Sequence, residues 1–123
     1  MKKLKLFIAA LLLVAATSFT HAQDAEIDIH NFEPKPITTS FKVHGECNMC
    51  KSRIEKAVKI TGVTSASWNV DNKELSLAYN PKVISIDKIH TLIAAVGHDT
   101  GKVKAEDKVY NALPGCCHYQ RKL

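Results

Sequence analysis

The chain has 123 residues, 46% of them hydrophobic, with 17 Lys+Arg, 12 Asp+Glu and four cysteines. Three of the lysines fall within the first 22 residues, so beyond that point the formal net charge drops from +5 to +2. A charge this weak, with no long basic run and no aromatic-rich basic surface, excludes nucleic acid as the ligand. The 101 residues beyond residue 22 suffice for one small domain with one core.

Lys2, Lys3 and Lys5 open the chain, an uncharged apolar run extends from Leu6 to Ala16, and Thr20-His21-Ala22 closes it on a small residue. This pattern predicts a secretory signal peptide over residues 1–22, cleaved after Ala22. Its 11 apolar residues fall short of the roughly 20 that span a bilayer, so no stable membrane insertion is expected. The expected product is exported, and periplasmic. Residues 23–36 carry four acids and two prolines and read as a flexible leader.

From residue 37 the pattern sharpens. Ile37, Thr39, Phe41 and Val43 alternate as in a strand with one buried face. The segment Val43-His44-Gly45-Glu46-Cys47-Asn48-Met49-Cys50 leads into a helix whose inner face is Cys50, Ile54, Ala57 and Val58, and Thr61-Gly62 stops it. Lys51, Arg53, Lys56 and Lys59 lie off that face, as a solvated flank or a docking face for an acidic partner. Ala66, Trp68 and Val70, then Leu75, Leu77 and Tyr79, alternate about an Asp71-Asn72-Lys73 turn and predict an antiparallel hairpin. Ser85 is placed to cap a second helix with Ile86, Ile89, Ile93 and Val96 inward, ended by Gly97. A short last strand is expected over residues 99–104. The order βαββαβ over residues 37–104 implies an α+β, ferredoxin-like domain: a four-stranded antiparallel sheet with two helices on one face. Residues 105–123 form a C-terminal extension in which Glu106 to Leu113 suits two helical turns and Cys116-Cys117-His118 follows.

Cysteines 47 and 50 lie where a strand pattern becomes a helix pattern. The helix N-terminus favours thiolate over thiol, and thiolate is the form that binds metal or exchanges disulfides. All four cysteines occur as local pairs, Cys47/Cys50 and Cys116/Cys117, a spacing that suits chemistry better than stapling of distant segments. Soft thiolates select Cu(I), Hg(II), Zn(II) or Cd(II) over hard ions. A pair with no other ligand fits the linear coordination of Cu(I) or Hg(II), whereas Zn(II) asks for about four ligands.

The element order and the cysteine loop resemble the heavy-metal-associated domain family, which includes small bacterial copper chaperones and periplasmic mercury-binding proteins. The resemblance rests on Gly45 through Cys50 with the basic amphipathic helix behind it, and on Ala95-Val96-Gly97-His98-Asp99 after the second helix. It implies that Cys47 and Cys50 hold one soft ion, most often Cu(I), and exchange it with a metal-donor or metal-acceptor protein of the same fold. It also implies a monomer or a metal-bridged dimer, and no bond-making catalysis. The family pattern Gly-Met-x-Cys-x-x-Cys is altered here: Glu46 alone separates Gly45 from Cys47, and Met49 sits inside the pair. His98 stands where bacterial copper members often carry tyrosine, and is an outer ligand candidate or an exposed histidine. Met49 offers Cu(I) a thioether or contacts the loop, while His30 and His90 read as surface residues. Cys116 and Cys117 are secondary ligand candidates, or thiols of a mobile tail. The expected last strand carries the chain away from the cysteine loop, yet the 12 steps from Lys104 to Cys116 are long enough for a return. The rival reading is a thiol–disulfide oxidoreductase using Cys47/Cys50 with Cys116/Cys117 as a second dithiol pair; a third is sequestration of the ion with no transfer partner.

Overall fold

In the computed structural model, residues 34–121 are described. The predicted signal peptide and nearly all of the predicted leader lie outside them. Three strands form one antiparallel sheet in the order β1-β3-β2, with β1 at Ile37–Lys42, β2 at Val63–Trp68 and β3 at Glu74–Tyr79. β3 is central: Ile37 to Lys42 pair with Tyr79 to Glu74 on one side, and Trp68 faces Leu75 on the other. Alternation sends Trp68, Leu75, Leu77 and Tyr79 into the core. The opposite face carries Thr38, Ser40, Ser65, Ser67 and Ser76 and is open to solvent.

Helix α1 runs over Asn48–Ala57 and α2 over Ile86–Ala95. Cys50 and Ile54 of α1, with Val58 just beyond, meet Ile89 and Ile93 of α2, and all five are fully buried. Ser85 caps α2 as its spacing predicted, accepting the Lys88 N–H at 3.2 Å. The hairpin turn forms as expected because Asn69 Oδ1 accepts the N–H groups of Asp71 and Asn72, leaving Lys73 in the left-handed region at φ 61°.

Two expectations change. His90 is 3% exposed and belongs to the core edge, with its ring stacked on Phe41 at 4.0 Å and Nδ1 2.7 Å from Thr100 Oγ1. Its position one step from Ile89 and four before Ala94 places it on the inner face of α2. The fourth strand expected over residues 99–104 is not formed among the described residues. A single bridge between Val43 and Thr100, and a 2.9 Å bond from the His44 N–H to the Asp99 carbonyl, mark its place beside β1. The cause is local competition for backbone groups. Thr100 Oγ1 accepts the N–H groups of Lys102 and Val103, Asp99 Oδ1 accepts that of Ala105 at 2.7 Å, and the chain turns back.

The extension then packs against the domain. The predicted helix shortens to α3, Asp107–Asn111, and Leu113 is buried against Gly97. Gly97 has φ 101° and a Cβ there would meet Leu113 at 3.0 Å, so glycine is required twice over. Tyr119, 4% exposed, donates its hydroxyl proton to the Gly97 carbonyl and accepts the Asp99 N–H, each at 2.8 Å. Arg121 closes the arrangement with Nε and Nη2 on the two Asp99 oxygens at 2.8 and 2.7 Å, and a further bond to the Ala105 carbonyl.

Burial alone would raise the Asp99 carboxyl, but the Arg121 guanidinium and the Ala105 N–H outweigh it and hold the group below the usual carboxylate range. A depressed folded pKa gives stability that is present above the unfolded value and lost as pH falls through the folded one. Asp99→Asn therefore costs about 3 kcal/mol at neutral pH. It also flattens the acid limb of the stability curve below about pH 4. Urea melts of both proteins between pH 3 and 7 check this.

Candidate metal centre

Val43 is the last core residue before the cysteine loop, and Trp68 reaches across to it: the indole Nε1–H donates to the Val43 carbonyl at 3.0 Å. The loop lies directly on this indole. A Cβ on Gly45 would meet Trp68 Cη2 at 3.0 Å and Cys50 Cβ at 3.1 Å, so the close approach depends on glycine. The Trp68 side chain therefore supports the loop from below, in a chain whose Gly–Cys segment lacks the methionine of the family pattern. Lys51 is tied down too, donating to Glu55 at 2.6 Å and to the Trp68 carbonyl at 2.7 Å, and Glu55 in turn accepts the Trp68 N–H at 2.9 Å.

Cys47 is the N-cap of α1, in extended conformation at φ −143° and ψ 176°, and Cys50 lies in the first turn. Their sulfurs are 3.6 Å apart. A third sulfur arrives from the tail: Cys117 Sγ is 3.6 Å from Cys47 Sγ, although 70 residues separate them. Cys47, Cys50 and Cys117 place their sulfurs within 4.8 Å of one another, a group able to hold a metal ion. Metal–thiolate bonds of about 2.3 Å put trigonal sulfurs about 4.0 Å apart, close to this spacing. All four cysteines are free thiols.

The three sulfurs differ in environment. Main-chain N–H groups at the start of α1, that of Cys50 foremost, stabilise the Cys47 thiolate and lower its pKa to about 7, against the smaller opposing effect of burial. Cys47 is also the one of the three that is partly exposed. Cys50 is fully buried, and burial pushes its thiol up to about 11 despite the Glu46 N–H directed at its sulfur at 3.4 Å. Cys117 is fully buried and accepts a hydrogen bond from Arg53 Nη1 at 3.2 Å. Arg53 thus faces the sulfur cluster, while the Lys51 ammonium is held by Glu55 and Trp68.

The other candidates separate clearly. Cys116 is exposed and lies outside the three-sulfur group, 4.0 Å from Cys117 Sγ and 3.5 Å from Met49 Sδ. His98 is fully buried, with Nδ1 2.7 Å from the His44 carbonyl. A carbonyl only accepts, so Nδ1 carries the proton, and Nε2 is left as a buried lone pair with no hydrogen-bond partner. Burial lowers the His98 pKa, so the ring stays neutral. His98 stands outside the sulfur group, and its ring packs with that of Tyr119 at 5.9 Å.

Tyr119 and Arg121 are the site-forming residues that sequence reasoning passed over. Their signal was present as alternation: Cys117, Tyr119 and Arg121 turn inward while His118 and Gln120 are exposed.

Fold and site together define an α+β domain of ferredoxin-like kin that carries a thiol cluster suited to a soft metal ion at one pole. The chain belongs to the heavy-metal-associated domain family, whose pattern matches residues 40–99. The copper chaperone CopZ of Staphylococcus aureus is 35% identical over 54 residues, covering 43% of this chain and 79% of the relative. A copper-exporting P-type ATPase of Staphylococcus saprophyticus is 35% identical over 54 residues, but there the chain spans only 7% of the relative's length. The solved structure of a CopZ metallochaperone aligns with a TM-score of 0.50 and 32% identity, over 52% of this chain and 98% of the other. Cys116, Cys117, Tyr119 and Arg121 all lie beyond the matched residues.

Titration of Cys47 follows from this geometry. Iodoacetamide, which reacts with thiolate, should modify Cys47 before Cys50, with a rate that rises through a midpoint near pH 7. Peptide mass spectrometry of protein alkylated briefly between pH 5 and 9 gives the order and the midpoint.

Proposed function

We propose that this protein captures or transfers a soft metal ion, Cu(I) foremost, bound by Cys47, Cys50 and Cys117. The observation that carries the reading is the convergence of three sulfurs at one pole of a domain whose family members bind metals. Three thiolates with no fourth donor in the group suit Cu(I) or Hg(II), while Zn(II) asks for about four ligands.

The unequal thiols set an order of events. An incoming ion meets Cys47 first, because it is partly exposed and its thiolate is populated at neutral pH. Cys50 keeps its proton until the ion supplies positive charge, and the displaced proton leaves to solvent. Cys117 closes the third position, with Arg53 offsetting part of the negative charge of three thiolates around one univalent ion. Release reverses this order: a thiolate of a metal-acceptor protein replaces one sulfur at a time, so the ion never enters water. Cys117 also fills the coordination place that a second copy would supply, which favours a monomer over a metal-bridged dimer.

The partner in this reading is a metal-donor or metal-acceptor protein of the same fold, and the compartment is the periplasm, reached through the signal peptide of residues 1–22. The protein performs no bond-making catalysis. The oxidoreductase alternative has no relative among those compared to support it.

Cu(I) titration against a chromophoric chelator under anaerobic conditions tests the assignment. Changing Cys47 and Cys50 together to alanine should lower affinity by more than about 100-fold, since even partners outside the ligand set are worth about 10–100-fold in metal sites. Cys117→Ser should weaken binding by more than about tenfold, equivalent to about 1.4 kcal/mol. Unchanged uptake in the double variant would refute the site.

A further inference from the structure

Two sulfurs near the pole remain outside the three-sulfur cluster. Met49 is a large hydrophobic side chain left 51% exposed in the first turn of α1, directly after the cap residue Cys47 and its neighbour Asn48. Cys116 is exposed in the short 3₁₀ turn Gly115–Cys117. The two come from segments 67 residues apart, yet the Cys116 thiol donates to Met49 Sδ at 3.5 Å. Cys116 Sγ is also 4.0 Å from Cys117 Sγ. The sulfurs therefore run in an unbroken series from the surface to the core: Met49, Cys116, Cys117, Cys47, Cys50. Each neighbouring pair is 3.5–4.0 Å apart.

We propose that Met49 Sδ and Cys116 Sγ, sharing Cys117 Sγ with the three-thiolate cluster, form a second, outer soft-metal site that takes a second Cu(I) ion. The proposal rests on the inner-site reading above and extends it to residues that reading does not use.

Three features of the geometry support it. Sulfurs bound to one ion in a trigonal arrangement lie about 4.0 Å apart for metal–sulfur bonds of about 2.3 Å, and the Met49–Cys116 and Cys116–Cys117 separations of 3.5 and 4.0 Å are close to that spacing. The donor set of thioether and thiolate selects a soft univalent ion over Mg(II) or Ca(II). Charge also balances: the second Cu(I) replaces the proton of Cys116, which leaves to solvent, while Met49 donates a neutral lone pair. Filling the outer site therefore adds one positive and one negative charge, and no oxidation state changes. An ion held there is already bonded to a sulfur of the inner cluster. It can move inward by exchanging Met49 and Cys116 for Cys47 and Cys50, without passing through water.

Anaerobic Cu(I) titration of the full chain against a competing chelator reads the stoichiometry. The wild-type chain should hold two equivalents. Cys116→Ser and Met49→Leu should each reduce this to one while leaving the affinity of the remaining equivalent within about twofold. Both side chains are exposed, so neither change removes core packing, and thermal melting of the metal-free variants checks that the fold is kept. A wild-type stoichiometry of one would overturn the outer site and leave the inner one standing. Loss of the second equivalent in Cys116→Ser but not in Met49→Leu would also overturn it, since a lone exposed thiol would then account for the uptake. Failure of the inner-site reading looks different: the Cys47/Cys50 double-alanine variant would keep two equivalents.

Discussion

The carboxylate of Asp99 governs the lower half of this molecule. Its two oxygens take the Arg121 guanidinium and the Ala105 N–H, and its backbone N–H is claimed by Tyr119. A last strand beside β1 would need residues 99–104 extended. Instead the Asp99 and Thr100 side chains satisfy the N–H groups of the next few residues, and the chain doubles back after one bridge. The reversal returns the extension to the pole from which it started, and the Arg121 and Tyr119 bonds hold it there. Cys117, two residues before Tyr119, is delivered to the cysteine loop by this latch. Burying such a charge pair adds less to net stability than breaking it removes, so its contribution is to arrangement more than to gross stability.

At the pole, one helix start serves two opposite purposes. The first-turn N–H groups of α1 stabilise the partly exposed Cys47 thiolate, while Cys50, one turn on and fully buried, is held protonated by its surroundings. The indole of Trp68 lies against Gly45 and bonds to the Val43 carbonyl, which ties a packing residue of the hairpin to the cysteine loop.

Membership of the heavy-metal-associated family accounts for residues 40–99, and the extension lies beyond them. What the tail contributes is a third sulfur, Cys117 Sγ, 3.6 Å from that of Cys47. A two-cysteine loop alone leaves an ion open to a second protein from every side. Under the proposed binding, a third sulfur in the same chain, backed by Arg53, would narrow that access to the face bearing Cys47, Met49 and Cys116.

Local pattern carried much of this in advance. Alternation along residues 37–43, 66–70 and 75–79, helical periodicity from Cys50 and from Ile86, the Ser85 cap and the Gly97 stop were all legible, because each depends on neighbours within a few residues. The Cys47/Cys50 pair was legible for the same reason. The fate of residues 99–104 was not: the Thr100 and Asp99 side chains capture the N–H groups of the residues that follow, and Asp99 is held for this by Arg121, some 20 residues later in the chain. His90 looked like a surface residue because histidine is amphipathic, and only the stacking of Phe41 from another element decided its burial. Sequence alone determined the first three strands, the first two helices and the first two sulfurs, all set by short-range periodicity. The tertiary structure alone decided that Cys117 joins them and Cys116 does not, because a distance across 70 residues is fixed by packing and by the Asp99 latch, not by spacing.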